Sequence, residues 1–194
     1  MLDRVCVFCG SNTGARPDYT TTAMALARLL ASEEIGLVYG GSDVGLMRVL
    51  ADTMLEAGGE VIGVIPQALV EKEVAHQGLT DLRVVGSMHQ RKAMMVDLSD
   101  AFIALPGGFG TFDELCEVLS WAQLGLHRKP VGVLNAAGYF DHFLKMLDHA
   151  VAEGFLRPQH RALVVQAETP EDILKRLLAY SAPLVEKWIT REET

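Results

Sequence analysis

A glycine-rich turn followed by acidic residues is the part of this sequence with the clearest chemistry. Pro106-Gly107-Gly108-Phe109-Gly110-Thr111 comes directly after the apolar run 101–105, which predicts a buried strand, and before the periodic segment 112–124, which predicts a helix. An anion can approach glycine N–H groups closely, and a helix N-terminus adds unpaired donors and a partial positive charge. The turn therefore predicts an anion-binding site at the end of a strand.

This turn differs from the two familiar phosphate loops. It lacks the Gly-Lys-Ser/Thr ending of the P-loop and has no third glycine where the dinucleotide fingerprint requires one. Asp113, Glu114 and Glu117 follow it and would repel a phosphate if all three pointed at it. One interpretation is structural, because Thr111 and Glu114 match a Thr-x-x-Glu capping box. The other is that the carboxylates take part in chemistry beside the anion.

Two cations precede the strand and offer a partner for the acidic helix. Ser87 and Gln90 form a second possible capping box, which places Arg91 and Lys92 in the opening turns of a helix. The helix dipole disfavours cations there. Arg91 shares an apolar stripe, which predicts that it faces the packed side of the helix and needs an anion, either Glu114 or a ligand phosphate. The alternative is that both cations are solvated.

The composition fits an enzyme that acts on small molecules. A length of 194 residues suits a single domain over residues 1–194. The formal net charge of −8 argues against nucleic-acid binding. The sequence has no stretch of 18 or more apolar residues and no signal-peptide pattern, so we expect no membrane association and a cytoplasmic location.

The cysteines and histidines form no recognisable metal or redox motif. Cys6 and Cys9 lie in a predicted strand, without the further ligands of a zinc site or the helix start of a redox pair. We expect Cys6, Cys9 and Cys116 to be reduced residues in or near the core. The histidines are scattered, so the sequence predicts no protein-bound metal.

Short apolar runs alternate with helical periodicity along the chain. The predicted strands are 4–9, 36–39, 61–65, 82–85, 101–105, 131–134 and 163–166. The predicted helices are 17–32, 44–57, 88–98, 112–124, 139–153 and 170–179, followed by a short tail helix. This alternation predicts a doubly wound, Rossmann-like α/β domain with a mainly parallel sheet of about six or seven strands. Glycine turns at Gly10-Ser11, Gly40-Gly41 and Gly107-Gly108 should then meet at one edge as a nucleotide-sized pocket.

The motif pair resembles a known enzyme family. Ser87-Met88-His89-Gln90-Arg91-Lys92, followed by the segment from Pro106 to Glu114, is similar to the LONELY GUY family of cytokinin-activating phosphoribohydrolases. The similarity extends from Cys9-Gly10-Ser11 to Trp121-Ala122-Gln123. The resemblance implies hydrolysis of the N-glycosidic bond of N6-modified adenosine 5′-monophosphates to a free cytokinin base and ribose 5-phosphate, without an organic cofactor.

The resemblance also implies roles for individual residues. Arg91 and Glu114 are implied to be the catalytic pair, and Glu73, in the least similar region, a substrate contact. Together with the glycine turns and Glu117, this gives a predicted substrate-binding set: Gly10, Ser11, Gly40, Gly41, Glu73, Met88, Lys92, Gly107, Gly108, Phe109, Gly110, Thr111, Glu117 and Ser120.

The implied reaction explains why carboxylates stand beside a phosphate site. Glycosidic cleavage passes through an oxocarbenium-like state, which a carboxylate stabilises, and the same carboxylate can accept a proton from water. A broader hydrolase acting on plain AMP shares every motif. A non-catalytic nucleotide-binding protein of this fold would not need an Arg–carboxylate pair, and a lysine decarboxylase would need pyridoxal phosphate on a lysine of a much larger chain.

The predicted helix 112–124 is apolar on more than one side, unlike a surface helix with a single apolar stripe. Small members of the similar family commonly form dimers. We therefore expect a homodimer with the helices of the Arg91 and Gly108 motifs near the interface, where a partner covers the second apolar face. Deep burial within one subunit is the alternative.

Overall fold

The chain folds into helices packed around a parallel sheet. The computed structural model describes residues 2–70, 72 and 75–183. Its strands are β1 Arg4–Phe8, β2 Gly36–Tyr39, β3 Val61–Pro66, β4 Asp81–Val85, β5 Ala101–Ala104, β6 Val131–Leu134 and β7 Val164–Ala167. Its helices are α1 Pro17–Ser32, α2 Gly45–Glu56, α3 Gln67–Val70, α4 Met88–Asp97, α5 Phe109–Gln123, α6 Asp141–Ala152, α7 Pro158–Arg161 and α8 Pro170–Leu178, with a 3₁₀ turn at Ala136–Gly138.

These elements confirm the predicted alternation of strands and helices. Most boundaries agree within about two residues, whereas α5 begins three residues earlier than predicted. The short helices α3 and α7 have no predicted counterpart. The predicted tail helix falls beyond residue 183 and lies outside the described residues.

The described strands form one parallel sheet in the order β4-β3-β2-β1-β5-β6-β7. The chain builds outward from β1 to β4 and then returns to the other side of β1 with β5. Strand order therefore reverses between β1 and β5. This is the predicted doubly wound arrangement, and folds of this kind bind ligands outside the carboxyl ends of the strands at such a reversal.

Helices cover both faces of the sheet. On one face α1, α2 and α8 pack through residues such as Leu26, Leu50 and Ile173. On the other, α4 and α5 pack through residues such as Met95 and Leu115. Burying each of these side chains contributes about 1.5–3 kcal/mol. Because the strands β2, β3, β5 and β6 are buried on both sides, they read as continuous apolar runs in the sequence.

The three cysteines occupy different environments. Cys6 and Cys9 are buried on opposite faces of the sheet, because side chains three residues apart on an extended chain point in opposite directions. They therefore do not face each other. The core prediction is confirmed for Cys6 and Cys9 and wrong for Cys116, which is exposed because α5 turns other residues inward.

Two further findings concern only the part of the chain that the structure describes. None of its helices combines the length and apolar character needed to cross a membrane. No three of its His, Cys, Asp or Glu side chains lie close enough together to hold a metal ion.

Candidate active site

The predicted glycine turns meet at the carboxyl edge of the neighbouring strands β2, β1 and β5. The N–H of Gly10 donates to the Pro106 carbonyl at 3.0 Å, and the N–H of Leu46 donates to the Gly10 carbonyl at 3.0 Å. Close packing explains the glycine, since a Cβ at Gly10 would lie 3.0 Å from the Asn12 carbonyl oxygen. The Gly10 and Gly107-Gly108 turns border a cavity of about 180 Å³, whereas Gly40 and Gly41 do not line it, so the predicted pocket of three turns is only partly correct. The cavity is lined by Gly10, Ser11, Asn12, Thr13, Gly14, Tyr19, Leu46, Pro106, Gly107, Gly108 and Tyr139.

Helix α5 begins at Phe109 with Gly108 as its N-cap, and no side chain of the described residues caps it. Thr111 is therefore the third helical residue, and the predicted Thr111–Glu114 capping box is wrong. The first intrahelical bond runs from the Phe112 N–H to the Gly108 carbonyl at 3.1 Å. The N–H groups of residues 108–111 thus have no acceptor within the helix. A Cβ at Gly108 or Gly110 would meet nothing within 4 Å, so these donors border open space.

Helix α4 begins with one half of the capping box predicted for it, because the Gln90 side chain bonds Gly86 rather than the N–H of the N-cap Ser87. The Ser87 hydroxyl accepts from the Gln90 N–H at 3.2 Å, and the Gln90 side-chain oxygen accepts from the Gly86 N–H at 2.8 Å. Arg91 follows on the inner side of the first turn and is only 8% exposed. The predicted packed position of Arg91 is confirmed.

Backbone carbonyls hold the Arg91 guanidinium in one place. Its Nε donates to the Val64 carbonyl at 3.0 Å, and its Nη2 donates to the Gly40 carbonyl at 3.2 Å. A side chain at position 40 would displace the guanidinium from this place, since a Cβ there would lie 2.2 Å from Nη2. The remaining nitrogen, Nη1, lies 3.7 Å from the Glu114 Oε1. Both sheet carbonyls therefore direct one end of the guanidinium towards this carboxylate.

Glu114 is a buried carboxylate, 8% exposed. Burial raises its pKa from 4.5 to about 7, against the lowering effect of nearby Arg91 and Lys92. The 3.7 Å separation from Arg91 exceeds hydrogen-bond length, so the pair does not offset the lost hydration. A carboxyl group with a pKa near 7 can accept or donate a proton around neutral pH.

Lys92 binds the other acidic side chains of α5. Its Nζ lies 2.9 Å from the Glu117 Oε1 and 3.2 Å from the Asp113 Oδ2. Burial lowers the pKa of Lys92, but its hydrogen bonds to both carboxylates outweigh burial and raise the pKa above 10.5. Arg91 and Lys92 are adjacent in sequence and thus face different carboxylates. This arrangement offsets the acidic character of the helix start.

The remaining predicted contacts lie around these groups. Phe109 is 94% exposed at the start of α5, and Met88 is 42% exposed with its sulfur 4.0 Å from the Arg91 Nη1. Ser120 is exposed and its hydroxyl donates to a carbonyl one turn earlier at 2.8 Å. Gly41 lies beside Gly40 with a φ of 77°, which glycine adopts readily. Glu73 lies outside the described residues.

Tyr139 lines the cavity, although no sequence motif singles it out. Its hydroxyl donates to the Gly107 carbonyl in the glycine turn. Its ring stacks on Phe112 with centroids 6.5 Å apart and meets Tyr19 edge-on at 5.8 Å. Tyr139 follows β6 and Gly138, so its place after a strand at the carboxyl edge is the signal that could have found it.

The cavity and the Arg91–Glu114 pair are built from different helices. The cavity takes Tyr19 and Leu46 from α1 and α2, whereas the pair comes from α4 and α5. The Gly108 turn, which lines the cavity, is also the N-cap of α5, so the two groups of residues meet at the start of this helix.

The sequence matches one protein family and several individual relatives over most of its length. The model of the family described as "Possible lysine decarboxylase" matches residues 47–177. A protein of Oryza sativa subsp. japonica named "Probable cytokinin riboside 5'-monophosphate phosphoribohydrolase LOGL9" is 50% identical over 177 residues, which cover 91% of this chain and 78% of that protein. "Cytokinin riboside 5'-monophosphate phosphoribohydrolase LOG3" of Arabidopsis thaliana is 47% identical over 188 residues, covering 97% and 87%.

Solved structures share the fold at lower sequence identity. The molybdenum cofactor binding protein from Rippkaea orientalis has a TM-score of 0.68 and 24% identity, covering 92% of this chain and 97% of that one. The molybdenum cofactor carrier protein from Chlamydomonas reinhardtii has a TM-score of 0.69 and 23% identity, covering 93% and 100%. At this identity the likeness establishes the Rossmann-like fold alone.

Proposed function

The chain belongs to the family of cytokinin riboside 5′-monophosphate phosphoribohydrolases, the LONELY GUY family, and on this premise we propose that it is an N-glycosidase. It hydrolyses N6-modified adenosine 5′-monophosphates to the free cytokinin base and ribose 5-phosphate. The family resemblance found in the sequence is confirmed by relatives up to 50% identical over most of the chain. The proposal extends their named activity to this protein.

The proposal rests on one arrangement: the buried carboxylate of Glu114 faces the fixed guanidinium of Arg91, and both lie near the N-terminus of α5. The Glu114 Oε1 lies 3.7 Å from the Arg91 Nη1, and the same helix begins with the N–H groups of residues 108–111, which have no acceptor within the helix. Those N–H groups suit the 5′-phosphate. The carboxylate suits the positive charge that grows on the ribose as the glycosidic bond breaks. A nucleotide has both the negatively charged phosphate and the ribose on which the positive charge develops.

In the proposed mechanism the bond between ribose C1′ and the purine nitrogen breaks, and its electron pair leaves with the purine. Water attacks C1′, and Glu114 accepts the proton that the water loses. Arg91 stabilises negative charge on the phosphate or on the departing purine. Glu117, held by Lys92, contacts the sugar or the base. The purine finally takes up a proton and is released.

Product analysis with isopentenyl-AMP and AMP side by side tests this function. We expect isopentenyladenine and ribose 5-phosphate in equal amounts, formed faster than adenine from AMP. Equal rates with the two substrates would favour a broader nucleotide phosphoribohydrolase. Binding of either nucleotide without any release of base would favour a non-catalytic nucleotide-binding protein and overturn the proposal.

We also propose a homodimer with α5 near its interface. Phe112, Leu119 and Trp121 on this helix remain only partly buried, and Phe109 is 94% exposed. A partner subunit would cover these apolar side chains. Light scattering that shows only a particle of the chain mass, 21.1 kDa, would overturn the dimer. A Trp121→Glu variant that stays dimeric would remove α5 from the interface.

Residues 1–194 are further proposed to act as one domain in the cytoplasm. The sheet takes strands from Arg4 to Ala167, which supports one folding unit. The free thiols of Cys6 and Cys9 suit a reducing compartment. Limited proteolysis that yields two stable fragments would contradict one domain, and cell fractionation tests the compartment.

A further inference from the structure

We propose that Tyr139 is a positioning residue that fixes the Gly107-Gly108 turn for phosphate binding. We further propose that the strained turn before Tyr139 serves to place its hydroxyl. The inference rests on the proposed function, because it assigns a role within the same site. Tyr139 acts through the backbone of the turn and takes no part in bond cleavage.

The Tyr139 hydroxyl orients the peptide group between Gly107 and Gly108. The Tyr139 hydroxyl donates to the Gly107 carbonyl. In a trans peptide the carbonyl and the following N–H point in opposite directions, so fixing the Gly107 carbonyl also fixes the Gly108 N–H on the opposite side. Gly108 is the N-cap of α5, and its N–H begins the row of unpaired donors. Without this hydrogen bond the glycine peptide could rotate, since glycine permits many backbone conformations.

The backbone is strained immediately before Tyr139. Ala137 has φ 51° and ψ 31°, a left-handed conformation that residues with a Cβ rarely adopt, and Gly138 has φ 74°. Such strain persists where the surrounding structure enforces it, and it is concentrated at functional sites. The two residues turn the chain sharply between β6 and α6. This turn brings Tyr139 over the glycine turn after β5.

Asn135 enforces this conformation through three hydrogen bonds. Its side-chain oxygen accepts from the Phe140 N–H at 2.6 Å, and its Nδ2 donates to the Asp141 Oδ1 at 2.8 Å. Its own N–H donates to the Ala167 carbonyl at 2.7 Å. The strained turn is therefore tied to β7 on one side and to the start of α6 on the other.

Aromatic neighbours hold the Tyr139 ring in place. It stacks on Phe112 of α5 and meets Tyr19 and Phe140 edge-on, with centroids 5.8 and 5.1 Å away. Phe112 lies in the first turns of α5. Ring and hydroxyl therefore contact the same helix start, the ring through a side chain and the hydroxyl through the backbone.

Tyr139→Phe tests the role because it removes the hydroxyl and keeps the ring. We expect affinity for ribose 5-phosphate, measured by calorimetry, to fall about three- to tenfold, as one lost hydrogen bond implies. Affinity for adenine should stay the same, and KM for isopentenyl-AMP should rise more than kcat falls. Tyr39→Phe is the matched control, because the buried Tyr39 hydroxyl has no partner among the described residues.

Unchanged affinity for ribose 5-phosphate in Tyr139→Phe would overturn the inference, and so would an equal loss for adenine, which indicates general damage. Asn135→Ala provides a second variant, since it releases the turn and leaves the hydroxyl in the chain. It should show the same selective loss for ribose 5-phosphate. If the wild type binds ribose 5-phosphate but cleaves no nucleotide, the proposed hydrolysis fails while the positioning role can still be measured.

Discussion

Helices α4 and α5 follow each other around β5 and carry the same type of sequence at their starts, yet the two starts differ. Ser87 and Gln90 of α4 fit the pattern Ser/Thr-x-x-Glu/Gln, and so do Thr111 and Glu114 of α5. In α4 the side chains bond the backbone N–H groups. In α5 Gly108 is the N-cap, and Glu114 is buried opposite Arg91.

The difference shows how one local pattern can serve stability or ligand binding. At the start of α4 the Ser87 side chain accepts from the Gln90 N–H, and the helix holds Arg91 in position. The start of α5 leaves four N–H donors without an acceptor inside the helix and places Glu114, a carboxylate of raised pKa, one turn further on. A helix start that lacks a side-chain cap and borders open space is available to an anion. The following predictions test this division of roles.

Glu114→Gln should have the largest effect, because it removes the charge that stabilises the ribose cation and the group that accepts a proton. We expect kcat to fall about 10²- to 10³-fold, as for other preorganised electrostatic groups. The measurement is release of base from isopentenyl-AMP. Since the amide fits the same space, circular dichroism should show an unchanged fold. Normal turnover in this variant would make Glu114 a structural residue and end the proposed mechanism.

Arg91→Ala should reduce hydrolysis by about 10²-fold, because the fixed cation opposite Glu114 is lost. The same change leaves the Val64 and Gly40 carbonyls without their donor. Arg91→Lys is therefore the better comparison, since lysine keeps the charge but cannot reproduce the planar fork. A lysine variant with the wild-type rate would show that charge alone suffices.

The raised pKa of Glu114 predicts a dependence of stability on pH. Its folded pKa of about 7 lies above the ordinary 4.5, so its stabilising contribution is complete below pH 4.5 and is lost as the pH rises through about 7. At about 1.36 kcal/mol per pKa unit, the loss is on the order of 3 kcal/mol. Urea unfolding between about pH 5 and pH 8 measures it. Parallel curves for wild type and Glu114→Gln would contradict this assignment.

Gly110→Val should weaken nucleotide binding without lowering stability. Its backbone is helical, the space around it is open, and valine is a better helix former than glycine. The added side chain would obstruct the unpaired N–H groups. Blocking one charge-assisted hydrogen bond raises KM about tenfold or more. An unchanged KM would mean that the phosphate binds elsewhere, and Gly110→Ala should show a smaller effect.

Ser87→Ala should have the smallest effect and act on stability alone. Loss of this N-cap costs about 1 kcal/mol of unfolding free energy. The rate of hydrolysis should stay close to the wild-type value, because the Ser87 hydroxyl bonds only the start of α4. A large loss of activity with unchanged stability would show that α4 also takes part in ligand binding through its N-terminus.

Much of the fold could be predicted because its signals are local. The inner strands β2 and β6 are buried on both faces, so the short apolar runs 36–39 and 131–134 predicted their bounds correctly. The start of α5 could not be predicted in the same way. Glycine is a poor helix former, and Gly108-Phe109-Gly110 read as a turn, although the last two residues are helical.

The candidate site was predictable where its residues belong to a motif. The packed position of Arg91 followed from its helical stripe, and the meeting of the glycine turns followed from strand topology. Burial of Glu114 did not follow, since an acidic residue in the first turns of a helix is favoured anyway. Tyr139 reaches the site through a left-handed Ala137, a conformation that no local propensity predicts.

The anchoring of Arg91 also has a consequence for how the protein acquires activity while it folds. Arg91 and Glu114 lie close in sequence, but the carbonyls that orient Arg91 are 27 and 51 residues away, and β1 pairs with β5 across about half of the chain. Contacts between distant segments pay the loop-closure entropy and slow folding. A collapsed chain with its helices formed would therefore still lack an oriented guanidinium. The rate at which hydrolysis recovers during refolding should therefore equal the rate at which the two halves of the sheet dock.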